Sequence, residues 1–201
     1  MRENPDIPKH EITRGDIMAM DDYAKVRRDR RHTITEVKRH RRLGVGPHAT
    51  FHFESFETMW MQIHEMLFIE QGGEAQIDDE LAAYNPLIPK GRELVATMMI
   101  EIDDEAQRRA LLSRLGGVEA TIELSLGERV IKAVAEADID RTTADGKASA
   151  VHFVHFPFSD DDVARFRDPA ARLTLGITHP AYGHLAIVPD AMRAALAADF
   201  D

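Results

Sequence analysis

The chain has 201 residues, a net charge of -10 at pH 7 with histidine neutral, and no cysteine. A chain of this length fits one domain, and it buries roughly 70% of its unfolded surface, so it needs no disulfide or metal to fold. The missing thiols exclude disulfides, thiolate zinc sites, iron–sulfur ligation by this chain and cysteine nucleophiles.

A reducing, cytoplasmic setting is expected from the same absence. No apolar run reaches membrane-span length, and Met1–Pro5 does not open like a signal peptide. The charge is uneven. Residues 1–45 carry 12 Lys/Arg against 8 Asp/Glu, a balance of +4, while the remainder stands at -14. Nine of the basic residues fall between Lys25 and Arg42, against only Asp29 and Glu36. A basic arm on an acidic body suits docking to a partner.

Residues 1–12 read as an extended lead-in, and Thr13 and Asp16 can cap a short turn around Ile17–Met20. Asp21 and Asp22 open a long helix to about Arg42, stopped by Gly44-Val45-Gly46-Pro47. Its apolar positions, Tyr23, Val26, Ile34 and Val37, are sparse, and Arg30 fills the gap in the stripe. His48–Glu54 reads as a strand with Thr50, His52 and Glu54 on one face and Phe51 and Phe53 on the other. The helix that follows, to about Gln71, carries Phe56, Met59, Trp60, Met61, Ile63, Met66, Leu67 and Phe68, a wider apolar face than an ordinary surface helix shows. Gly72-Gly73 ends it.

Ile77–Tyr84 is a short helix entering the proline-bounded loop Tyr84–Pro89, and Glu93–Ile102 a buried strand. Asp103-Asp104 caps a helix through Arg114, closed by Gly116-Gly117. Val118–Leu126 and Glu128–Ala137 predict a hairpin about Gly127, and Arg141–Ser149 a loop. Ala150–Phe158 is a strand, Asp160–Arg167 a helix and Arg172–Thr178 a strand. His179–His184 turns into the strand Leu185–Val188, and Pro189–Phe200 is a last helix. This order predicts an α+β fold: a mixed, largely antiparallel sheet with flanking helices and a long basic N-terminal helix. The whole of 1–201 forms one domain, with 1–43 as a helical arm packed on the body.

Within this frame Thr58, Gln62 and Glu65 form one polar row on the apolar helix, since residues three and four apart share a face. With Glu54, Tyr84 and Asn85 they offer hydroxyl, amide and carboxylate groups for a small polar ligand. A solvated helix face is the plain alternative for the row. Asn85 sits in a loop stiffened by Pro86 and Pro89, where bonding to backbone competes with binding. Arg30, on the apolar stripe, is expected beside Glu54, Glu65 or Glu70 as a bidentate partner.

Glu54, Glu57, Glu65, Glu70 and His64 have metal-ligand chemistry, yet neither the Glu-x-x-His pairs of di-iron bundles nor a His-Glu-x-x-His zinc helix is present. The histidines read better as ordinary half-buried side chains, and no metal is assigned. His152 and His155, three apart on a strand, face opposite ways. His179 is the better functional histidine, against a turn-stabilising hydrogen bond. No phosphate loop and no nucleophile elbow is present, so catalytic residues and cofactor stay unknown. The basic helix lacks interleaved aromatics, which makes nucleic acid an unlikely partner.

The ordered set Phe53-Glu54, Thr58, Gln62, Glu65-Met66-Leu67, Glu70, Tyr84-Asn85-Pro86-Leu87-Ile88-Pro89 and Glu93-Leu94-Val95-Ala96-Thr97 resembles the bacterial family known as domain of unknown function 3501. Arg41-Arg42 and His179-Pro180-Ala181-Tyr182 extend the resemblance over nearly the whole chain. It implies a redox or oxidative-stress setting, because members tend to be encoded beside a rubrerythrin-like protein and a cysteine-rich iron–sulfur oxidoreductase. The expectation is an accessory or ligand-binding protein for that system, docking through the basic helix. Its site would comprise Arg30, Glu54, Thr58, Gln62, Glu65, Glu70, Tyr84, Asn85 and His179. The alternative is a metal- or carboxylate-dependent enzyme centred on Glu54, Glu65, Glu70 and His179. Self-association is left open.

Overall fold

The computed structural model describes residues 9–136 and 148–201. Helix α1 (Met20–Arg39) leads into a hairpin of β1 (Arg42–Val45) and β2 (Ala49–Phe53), followed by α2 (Phe56–Glu70) and α3 (Glu74–Tyr84). Next come β3 (Glu93–Ile100), α4 (Glu105–Leu112), β4 (Ile122–Leu126), β5 (Arg129–Lys132) and β6 (Val134–Ala135). The chain continues through β7 (Val151–Pro157), α5 (Asp160–Arg167), β8 (Leu173–His179), β9 (Tyr182–Ile187) and α6 (Asp190–Ala197). The fold is α+β with two antiparallel sheets, ordered β1-β2-β3-β7-β6 and β5-β4-β8-β9.

Strand alternation explains how the sheets stack. Phe51 and Phe53 of β2, Leu94, Ala96 and Met98 of β3, and Val154 and Phe156 of β7 point to one side. They meet Leu124 and Leu126 of β4 and Leu173, Leu175 and Ile177 of β8 in one buried cluster. Full burial of each such side chain is worth about 1.5–3 kcal/mol. The other side of the five-stranded sheet presents Val95, on which Met59, Ile63 and Leu67 of α2, Ile77 of α3, and Ile12, Leu87 and Ile88 pack as a second cluster. The width of the apolar face of α2 follows: it packs on the sheet, on α3 and on α1.

Several boundaries differ from those expected. The first helix stops at Arg39, and Arg42–Val45 becomes an edge strand paired with β2. The alternation that turns Val45 inward serves the sheet, and the backbone reverses at Gly46 with φ 71°. Val118–Thr121 is a 3-10 turn entered through Gly117 (φ 78°), so β4 begins only at Ile122. The strand expected over Glu128–Ala137 divides: β5 pairs with β4, and after Ala133 the chain changes sheet so that β6 pairs with β7. The expected loop Arg141–Ser149 lies outside the described residues up to 147. No helix among the described residues is long and apolar enough to cross a membrane.

Candidate functional site

Helix α1 lies against α2, and the end bearing Tyr23 is the tightly held one. Tyr23 is fully buried, and its hydroxyl donates to Glu65 Oε1 at 2.7 Å. Arg27, one turn further on, grips both Glu65 oxygens at 2.7 and 2.8 Å and sets its guanidinium 4.6 Å from the centre of the Phe68 ring. The Arg27 guanidinium holds the Glu65 carboxyl below the usual range against partial desolvation. Burial and that carboxylate push the Tyr23 phenol up.

His64, fully buried, accepts from the Met18 N–H at 3.0 Å through Nε2 and donates from Nδ1 to the Trp60 carbonyl at 2.7 Å. Its ring centre is 3.7 Å from that of Trp60. Only the neutral tautomer makes both bonds. Desolvation lowers the His64 pKa below 6.5, the Trp60 carbonyl opposes this, and Arg30 adds to it. A histidine kept neutral by the fold contributes stability that is complete above pH 6.5 and is lost as pH falls through 6.5 toward the folded value. A histidine titration by NMR should give His64 a midpoint below 6.5, with Met18 and Tyr23 signals changing in step; a midpoint at or above 6.5 contradicts this packing.

Beyond this clamp the helices part around a groove of about 310 Å³, lined by Arg30, Thr33, Ile34 and Val37 of α1 and Phe56, Glu57, Trp60 and Met61 of α2. Arg30 corrects the sequence expectation. It lies 5.3 Å from the centre of the Trp60 ring and pairs with no carboxylate among the described residues, because Arg27, four residues after Tyr23 and on its face, takes Glu65 instead.

The remaining expected site residues divide into separate contacts. Glu54 and Thr58 do meet: the buried Glu54 carboxylate accepts from Thr58 Oγ1 at 2.7 Å and Thr97 Oγ1 at 2.8 Å. Gln62 donates to the Tyr84 hydroxyl at 3.4 Å. Glu70 accepts from Gln76 and ties α2 to α3. Asn85 bonds both the N–H and the carbonyl of Ile12, at 2.8 and 2.9 Å, holding the lead-in segment like a strand partner. His179 accepts from the Ala181 N–H at 3.1 Å, closing the β8–β9 turn.

The shared hollow between positions 54 and 85 therefore does not form. The row on α2 is in register, but Thr58 faces the sheet, Gln62 faces Tyr84 and Glu65 faces α1. Glu54, Glu65, Glu70 and His179 do not converge either. The turn bearing His179 adjoins Tyr182 at the Ala49 end of β2, while Glu54 follows its other end, about 15 Å away at strand spacing. Among the described residues no group of three or more His, Asp or Glu could hold a metal ion. As the spacing predicts, His152 turns into the interior, whereas His155 on the other face contacts Glu93 and Glu136.

A buried ion pair went unread in the sequence. Arg41 binds Asp199 at 2.8 and 2.6 Å, and also the carbonyls of Glu54 and Ala195, with both charged residues under a tenth exposed. Two acids lie near it: Glu54, and Glu57, which accepts from Ser55 Oγ at 2.8 Å. No spacing rule links positions 158 apart. Arg27 was legible, being four residues after Tyr23.

The architecture is thus a two-sheet α+β protein with a helix-lined groove. The chain belongs to the family of proteins of unknown function DUF3501, whose model matches residues 11–200. The crystal structure of a protein of unknown function from Burkholderia pseudomallei K96243 is similar at 38% identity and a TM-score of 0.87, over 94% of this chain and 99% of that one. No functionally curated protein matches.

Proposed function

We propose that this chain is a non-catalytic accessory protein that docks an acidic protein partner through the outward face of α1. The observation that carries it is a strip of exposed cations without an ion-pair partner among the described residues. Arg28, Arg31 and Lys38 are exposed and make no ion pair among the described residues, and Arg31 acts on Glu65 only at longer range. They span about 15 Å at helical rise. Lys25 and Arg39, by contrast, are held by Asp22 and Glu36 on the same helix. The rest of the chain is acidic, so the strip steers an acidic partner toward α1 and repels it elsewhere.

The family resemblance supplies the setting: the partner is a rubrerythrin-like protein or a cysteine-rich iron–sulfur oxidoreductase, of the kind that members of the family tend to be encoded beside. Calorimetry of the purified pair at low salt tests the reading. We expect binding that weakens steeply with added salt, because exposed charges are screened over about 10 Å at 0.1 M. The R28E/R31E variant should bind at least about ten-fold more weakly. Absence of association at low salt with either protein overturns the proposal, as does tight, salt-dependent retention of the chain on immobilised DNA or RNA.

A further inference from the structure

The groove between α1 and α2 is lined by α1 residues other than those of the docking strip, and two opposite charges that make no ion pair among the described residues rim it. Arg30 stands over Trp60 and pairs with no acid among the described residues. Glu57, three residues before Trp60 on α2, lines the same groove, and its partner is the Ser55 hydroxyl. Opposite charges within one groove of about 310 Å³ ordinarily close on each other; these two make no ion pair. Trp60 and Glu57 are separated by about 4.5 Å of helical rise. Between them the walls are apolar, with Ile34, Val37, Phe56 and Met61. The volume is at the small end of the range for small-molecule sites.

We infer that this groove binds a small zwitterion with an apolar body, an α-amino acid with an aliphatic or aromatic side chain. The ligand carboxylate meets the Arg30 guanidinium, whose planar fork suits two parallel hydrogen bonds. The ligand ammonium meets Glu57, and the side chain fills the apolar walls beside Trp60. A simple carboxylate would leave Glu57 with no cation in direct contact, since the nearby Arg41 is bonded to Asp199, and a simple amine would leave Arg30 without an anion. A zwitterion satisfies both. The groove is held open by what surrounds it: Tyr23 and Arg27 clamp one end of the helix pair, and the Trp60 indole is fixed by its N–H donating to the Asp16 carbonyl at 2.8 Å.

Trp60 is the single tryptophan of the chain, so the fluorescence comes from one residue that lines this groove. Leucine and phenylalanine should each give a saturable change, while isocaproate and isoamylamine, each lacking one of the two charges, bind at least about ten-fold more weakly. R30Q and E57Q, both substitutions of exposed residues, should each weaken leucine binding about ten- to a hundred-fold, with an unchanged circular dichroism spectrum. The inference is overturned by no saturable change up to about 10 mM amino acid, by isocaproate binding as tightly as leucine, or by full affinity in R30Q. No partner protein takes part in this titration, so it can fail while docking through α1 stands, and the reverse.

Discussion

Replacing Arg41 with methionine is expected to lower the unfolding free energy by about 3–5 kcal/mol, the usual result of removing one member of a buried ion pair. Arg41 is the common partner of the Asp199 carboxylate and the carbonyls of Glu54 and Ala195. Its loss leaves an acid under a tenth exposed with no counter-charge and with Glu57 nearby. At this chain length each kcal/mol moves the melting temperature by about 2–4 °C. Burial pushes the Asp199 carboxyl up, and Arg41 is the group that pulls it back. In the variant that pull is gone, so the carboxyl is protonated in the folded state at a higher pH than in the unfolded chain. The deficit against the parent should therefore shrink as pH falls. Thermal melts across pH read both effects; an R41M protein that melts with the parent at neutral pH shows that this pair does not hold the C-terminal helix region to the β1–β2 hairpin. Changing Asp199 to leucine as well should recover part of the loss, since an apolar pair of similar volume leaves no buried charge.

Tyr182→Phe is expected to cost about 2–4 kcal/mol, far more than removal of one exposed hydroxyl. The Tyr182 oxygen accepts from the His48 and Ala49 N–H groups at 2.8 and 2.9 Å and donates to the Val45 carbonyl at 2.9 Å. That single atom joins the β1–β2 turn to the four-stranded sheet, and phenylalanine strands two donors and an acceptor together. Gly46→Ala attacks the same point. Its φ of 71° disfavours any side chain, and a Cβ there would fall 2.6 Å from the His184 ring and 2.8 Å from the Tyr182 oxygen. Because both changes break one junction, the double variant should lose less than the sum. Urea unfolding with amide exchange at residues 45–49 measures this; exchange in Y182F that matches the parent at His48 and Ala49 would show that water replaces the hydroxyl.

Much of the secondary structure was legible because its physics is local. The alternation in Thr50–Phe53 sends the two phenylalanines inward. Asp104 caps the helix that follows it by accepting from the N–H of Gln107. The apolar width of α2 announced contact on several sides. Where local signals competed, the reading slipped: Arg41-Arg42 suits a helix end by composition, but Asp199 draws Arg41 inside and the chain leaves the helix there. Ala133 carries no mark of a change of sheet, since alternation is the same in either.

The candidate site followed the same division. The row Thr58, Gln62, Glu65 was placed correctly on one helix, yet each member answers to a different neighbour, and helical phase says nothing about neighbours. His179-Pro180-Ala181-Tyr182 was a true feature, but the residue that carries weight is Tyr182, whose role depends on a turn 134 positions earlier. By itself the sequence determined the α+β class and the basic character of the first helix, because these rest on composition, periodicity and short-range capping, and it showed the family through the ordered set of residues that resembles it. Only the tertiary structure decided which acid each arginine meets, and that Arg30 and Glu57 face one groove unpaired, because such pairings depend on how separate elements pack and the energy of each lies in desolvation that no local pattern records.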